Sequence, residues 1–176
     1  MKRHLFAVLA LALTGMVLSS ARAQGDAPLT ATDTKVEIRV RIDAAPDTVW
    51  RTLTNPRLVK QWHLGWDTET DWRVGSRFLR SGLVNKKVHE TKGVVLASDR
   101  PKRLVHTQWS PDSGLPDRPQ NYRTVRYELT EAGEGTELTI TEENIPSETQ
   151  RAQVEAHWQK AVRGLKAIAE RRRSSE

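Results

Sequence analysis

The chain has 176 residues, with 28 basic and 22 acidic side chains, a formal charge of +6, six tryptophans and no cysteine. The absence of cysteine excludes disulfides, thiolate nucleophiles and thiolate metal ligands, so stability has to come from an apolar core. Without Lys2, Arg3 and Arg22 the charge falls to +3, scattered among acids, which lacks the concentrated basic stripe of a nucleic-acid binder.

Residues 1–23 read as a secretory signal peptide. Lys2, Arg3 and His4 form a basic start, residues 5–18 are almost unbroken apolar, and Ala21-Arg22-Ala23 has the small-x-small form of a cleavage site. Cleavage is expected between Ala23 and Gln24, leaving 153 residues in the periplasm or outside the cell. The apolar run is too short for a comfortable span, and no other stretch is long enough, so no membrane span is expected after cleavage. Residues 24–34 are small and polar and read as a flexible leader.

From Lys35 to Ile42 apolar and charged residues alternate, with Val36, Ile38, Val40 and Ile42 on one face, which predicts a half-buried strand. Ala45-Pro46-Asp47 then opens a helix with proline in its first turn, and Val49, Trp50 and Leu53 form its apolar stripe. Asn55-Pro56 stops that helix and starts a second, whose Leu58, Val59 and Trp62 share a face. Residues 63–76, with two tryptophans and three acids, are expected to form a loop.

Five further strands are predicted at about 77–83, 87–97, 103–110, 122–130 and 136–143, divided by turn-forming clusters such as Ala132-Gly133-Glu134-Gly135. Residues 110–121 contain three prolines and are long enough for a lid. Ser147-Glu148-Thr149-Gln150 reads as a capping box. Val154, Trp158, Ala161, Val162, Leu165, Ile168 and Ala169 follow at helical spacing, predicting a helix from 147 to about 172 that is about 39 Å long. The reading is thus one α+β domain over 35–172 with a short tail at 173–176.

This order resembles the START-like/Bet v1-like helix-grip fold of the SRPBCC superfamily. The residues that carry the resemblance are Ala45-Pro46-x-x-Val49-Trp50, Leu53-Thr54-Asn55-Pro56-x-Leu58-Val59-Lys60-Gln61-Trp62, Val74-Gly75-Ser76-x-Phe78, the segment from Arg100 to Thr107, and Gly135-Thr136-Glu137-Leu138-Thr139-Ile140-Thr141. They are similar to the AHSA1-like branch, named after the activator of Hsp90 ATPase. The resemblance implies a curved antiparallel sheet gripping the long C-terminal helix, with a cavity for a small hydrophobic molecule. The export signal argues against cytosolic Hsp90 as a partner. The His-Glu-Gly-Phe-like end of the last strand expected in this branch is Glu142-Glu143-Asn144-Ile145 here, so a role for that histidine does not carry over.

Four tryptophans lie between 50 and 72. Trp50 and Trp158 sit on helix core stripes, whereas Trp62, Trp66 and Trp72 flank the loop and are candidates for a pocket mouth. Phe78 joins them as a candidate wall. The alternation turns Arg80, His106, Tyr127 and Glu142 inward as polar residues that would orient a guest. If the cavity is catalytic, of the polyketide cyclase/dehydratase type, His106 and Glu142 are the candidate acid and base. A third reading is a protein-interaction or chaperone-like module using the tryptophan-rich loop. No metal or cofactor is expected: Asp67-x-Glu69-x-Asp71 lacks the glycine and glutamate of a calcium loop, and no phosphate-binding glycine loop occurs.

Overall fold

The computed structural model describes residues 34–173. Residues 1–23, read from the sequence as a signal peptide, most of the expected leader and the last three residues lie outside the described residues. Strand β1 (Thr34–Ile42) leads into helices α1 (Pro46–Thr54) and α2 (Pro56–Trp62). Strands β2 (Asp67–Glu69), β3 (Arg77–Val84), β4 (Lys87–Asp99), β5 (Arg103–Gln108), β6 (Arg123–Ala132) and β7 (Gly135–Ile145) follow, and α3 (Glu148–Arg173) ends the domain. The sheet has seven strands in the order β1-β7-β6-β5-β4-β3-β2, every neighbouring pair antiparallel. The chain therefore returns from β7 to pair with β1, and the long helix crosses one face: the helix-grip fold.

The local causes are those read from the residues. Asn55 closes α1 and caps α2, its side chain accepting hydrogen bonds from the backbone N–H of Arg57 (3.0 Å) and Leu58 (3.4 Å). Val49, Trp50, Leu53, Leu58, Val59 and Trp62 are all buried, against Trp158, Ala161, Val162, Leu165, Ile168 and Ala169 of α3. In β1, Val36 and Ile42 are buried and Ile38 and Val40 are half-buried against the same core. Gly164 of α3 faces α2 so closely that a Cβ there would lie 3.2 Å from the Cα of Trp62. A small residue at that point lets the two helices approach.

Register shifts between Val95 and Ala97 and near Thr34 bend the sheet, as bulges do. Asn85 and Lys86, both at positive φ (51° and 63°), make the tight β3–β4 turn. Two features differ from the sequence reading. The expected loop at 63–76 contains β2, which pairs with β3 and buries Thr68; three residues are too few to show alternation. The strand expected to reach residue 110 ends at Gln108, and the lid at 110–121 carries two 3₁₀ turns, Pro111–Ser113 and Pro119–Asn121. Its hydrogen bonds include those from Trp109 Nε1 to the Leu115 carbonyl (3.2 Å) and from Asn144 Nδ2 to the Gln120 carbonyl (2.8 Å).

Half of the capping box forms: the Gln150 N–H donates to Ser147 Oγ at 3.2 Å. The Gln150 side chain reaches instead to the Ser113 carbonyl (3.4 Å), tying the start of α3 to the lid. Among the described residues no helix is long and apolar enough to cross a membrane.

Candidate functional site

A cleft of about 330 Å³ opens between the first half of α3 and the sheet, beside the lid. β3, β5, β6 and β7 send Arg80, Gln108, Arg123 and Glu142 into it, α3 adds Val154, His157 and Trp158, and His63 enters from the C-terminal end of α2. Each strand contribution follows from alternation: Phe78 and Arg80 share the inner face of β3, as do His106 and Gln108 in β5, and Ile140 and Glu142 in β7.

The wall is mixed in polarity. The aromatic residues that would have made it apolar are packed one layer deeper. Phe78 and His106 stack with centroids 4.0 Å apart at 20°, Trp72 lies within 6.3 Å of both, and Tyr127 joins His106 to Trp158. Phe78 and His106 are fully buried and Tyr127 nearly so. Trp62 is buried elsewhere in the core, its indole N–H donating to the Thr52 carbonyl (2.9 Å), while Trp72 donates to the Thr54 carbonyl (2.8 Å). Of the eight residues singled out from sequence, Trp66, Arg80 and Glu142 line the cleft, and Trp62, Trp72, Phe78, His106 and Tyr127 do not. Trp66 lies over Gly82 of β3, where any Cβ would overlap the indole.

Two polar clusters meet in the cleft. In the first, buried Glu142 accepts from Gln108 Nε2 (2.8 Å) and Trp158 Nε1 (2.7 Å) and is paired with Arg123 Nη1 at 3.0 Å. Both carboxylate oxygens are therefore occupied. In the second, Arg80, only 5% exposed, donates through Nε to Thr68 Oγ1 (3.3 Å) and through Nη1 to His63 Nε2 (2.8 Å). Its guanidinium carbon sits 4.9 Å over the Phe78 ring. His157 Nε2 approaches His63 Nε2 at 3.3 Å.

Burial, helped by the Arg80 charge, sets the protonation of these groups. The His63 imidazole is held well below its ordinary pKa by loss of water, and then by Arg80 and His157. His157 is lowered by burial first and by Arg80 second. His106 is lowered to about 3 by burial and Arg80, and burial pushes the Tyr127 hydroxyl up to about 12. At neutral pH all three imidazoles are uncharged, and Arg80 is the fixed cation at the cleft floor. Among the described residues no group of histidines and carboxylates is placed to hold a metal ion.

Gln108, Arg123, His63 and His157 are among the cleft residues that escaped the sequence reading. Gln108 shares a face with His106, and Arg123 with Tyr127, so alternation carried a signal for both. His63 and His157 are 94 positions apart and meet only because α2 packs on α3.

A family model described as Activator of Hsp90 ATPase homolog 1-like protein matches residues 43–170. Among solved structures, ChR145 of Cytophaga hutchinsonii is 30% identical, with 80% of this chain and 97% of that one covered and a TM-score of 0.68. CV1439 of Chromobacterium violaceum is 23% identical over 77% of this chain and 96% of its own, with a TM-score of 0.69. CalU16 of Micromonospora echinospora is 25% identical over 77% and 75%, with a TM-score of 0.59. No functionally curated protein matches. The match over residues 43–170, with the same fold in a relative of 30% identity, establishes that this chain belongs to the family of Activator of Hsp90 ATPase homolog 1-like proteins.

Proposed function

We propose that this protein is an exported small-molecule-binding domain that holds one amphipathic guest in the cleft between α3 and the sheet. The observation that carries the reading is the cleft itself: about 330 Å³, lined by apolar Trp66, Val154 and Trp158 together with polar Arg80, His63, His157 and Gln108. That volume falls at the small end of the range for ligand pockets, about 300–1,000 Å³, and the mixture of apolar wall and few converging polar groups is what such pockets use to orient a guest. Binding is favoured over acid–base turnover because Glu142, the buried acid of the cleft, has both oxygens engaged by Gln108, Trp158 and Arg123. His106 sits in the aromatic layer beneath. Export rests on the signal-like residues 1–23 and places the guest outside the cytoplasm.

The test is the mass of the protein purified from its native compartment, measured under native and then denaturing conditions. A discrete extra mass that disappears on denaturation supports the proposal and identifies the class of guest. A native mass equal to the polypeptide alone, in protein that has met its natural environment, counts against it.

A further inference from the structure

We propose that the guest carries a single carboxylate and that Arg80 is its recognition point; this rests on the cleft reading above. The first ground is charge. Arg80 is a buried guanidinium whose hydrogen-bond acceptors are Thr68 and His63, both neutral, with no carboxylate in ion-pairing reach among the described residues. A buried charge without a counter-ion is costly, and proteins pair such groups. Glu142, the acid whose charge acts on Arg80, is already engaged by Arg123, Gln108 and Trp158.

The second ground is the count of donors. Arg80 always carries its protons, so His63 Nε2 must be the acceptor of its 2.8 Å bond, which puts the His63 proton on Nδ1. His157 Nε2, 3.3 Å from the same atom, then has to donate to a lone pair already taken, or else face it with a lone pair of its own. Guanidinium N–H groups and the His157 N–H thus outnumber the acceptors that face them. A carboxylate entering from the cleft supplies the missing oxygens and the missing negative charge together. It is a monoanion that fits, because one uncompensated cation is present and Glu142 would repel a second negative charge.

The experiment titrates the full chain with decanoate and with decanol, which share a chain and differ in the carboxylate, following tryptophan fluorescence from Trp66 and Trp158. Decanoate should bind about tenfold to a hundredfold more tightly, as expected for a desolvated charge-assisted pair. Arg80→Met, which keeps the stem and removes the charge, should abolish that preference, and Arg80→Lys should restore part of it. Replacing a buried charge by an apolar side chain generally leaves folding intact, and the preference of the unmodified protein needs no variant at all. Equal affinities for the two probes, or a preference that survives in Arg80→Met, overturn the inference while leaving a cleft binder. Failure of every straight-chain carboxylate from hexanoate to dodecanoate to bind also overturns it. The native mass measurement, which needs no chosen probe, judges the cleft reading separately.

Discussion

Replacing His106 by leucine should make the protein markedly more acid-resistant. The imidazole is fully buried, stacked on Phe78 and flanked by Trp72 and Tyr127, and its Nε2 has no hydrogen-bond partner. Burial and the Arg80 charge hold its pKa at about 3, against 6.5 when exposed. Below pH 6.5 the unfolded chain therefore binds a proton that the folded chain refuses. Stability falls as pH drops from about 6.5 toward 3, at about 1.4 kcal/mol per pH unit. Between about pH 7.5 and 4.5 this one group removes about 3 kcal/mol, a large share of the stability of an ordinary domain. His63 and His157 act in the same direction but are present in both proteins, so the difference between His106→Leu and the parent isolates His106. At neutral pH the substitution should change stability by less than about 1.5 kcal/mol, since the volumes are similar, Nε2 has no partner to lose, and the one bond lost, from Nδ1–H to the Thr107 carbonyl (3.1 Å), contributes about 1 kcal/mol. The assay is urea unfolding followed by circular dichroism across that pH range. Parallel stability curves for the two proteins would refute the reasoning, because they would mean that the folded imidazole titrates normally.

Other substitutions probe the remaining supports. Glu142→Ala strands Arg123, Gln108 and the Trp158 N–H around an empty site and should lower stability by about 3 kcal/mol, read as a drop in the urea midpoint; a change below about 0.5 kcal/mol would contradict the network. Gly164→Leu drives a side chain into the backbone of Trp62 and should cost about 1–3 kcal/mol in thermal unfolding. Gly164→Ala should be nearly neutral, since the helix gains about 1 kcal/mol in propensity that offsets the tight contact. Trp66→Ala should weaken guest binding more than it lowers the melting temperature, whereas Trp62→Ala, which empties a core site, should cost about 3–5 kcal/mol. The intact mass of the mature protein should begin at Gln24; a chain retaining Met1 would contradict export with cleavage.

The fold was legible because each element writes its burial pattern locally. Eight alternating residues in β1, Asn55-Pro56 between two short helices and the apolar stripe of α3 are signals that survive without any knowledge of neighbours. β2 was not legible, because Asp67–Glu69 is a polar triplet held in place by β3 rather than by its own pattern. The site was legible in part for a related reason. Alternation states which face of a strand a residue occupies, so Arg80, His106, Tyr127 and Glu142 were correctly turned inward. It does not state depth. The inner face meets packed aromatic rings at His106 and Tyr127, and the open cleft at Arg80 and Glu142. The tryptophans divide the same way: Trp66 covers Gly82 at the cleft, while Trp62 and Trp72 turn their N–H groups to carbonyls of α1. His63 and His157 belong to helices read separately, and their meeting is a product of packing alone.

The most direct test of the account is where a guest sits. Titrating the protein with the molecule extracted from its native preparation, and following the indole N–H resonances of its six tryptophans, reads the cleft and the core at once. The signals of Trp66 and Trp158 should move together and saturate at one guest per chain, while those of Trp50, Trp62 and Trp109, which lie outside the cleft lining, should stay in place. Saturable shifts confined to Trp50, Trp62 or Trp109, or no movement at Trp66 and Trp158, would contradict it.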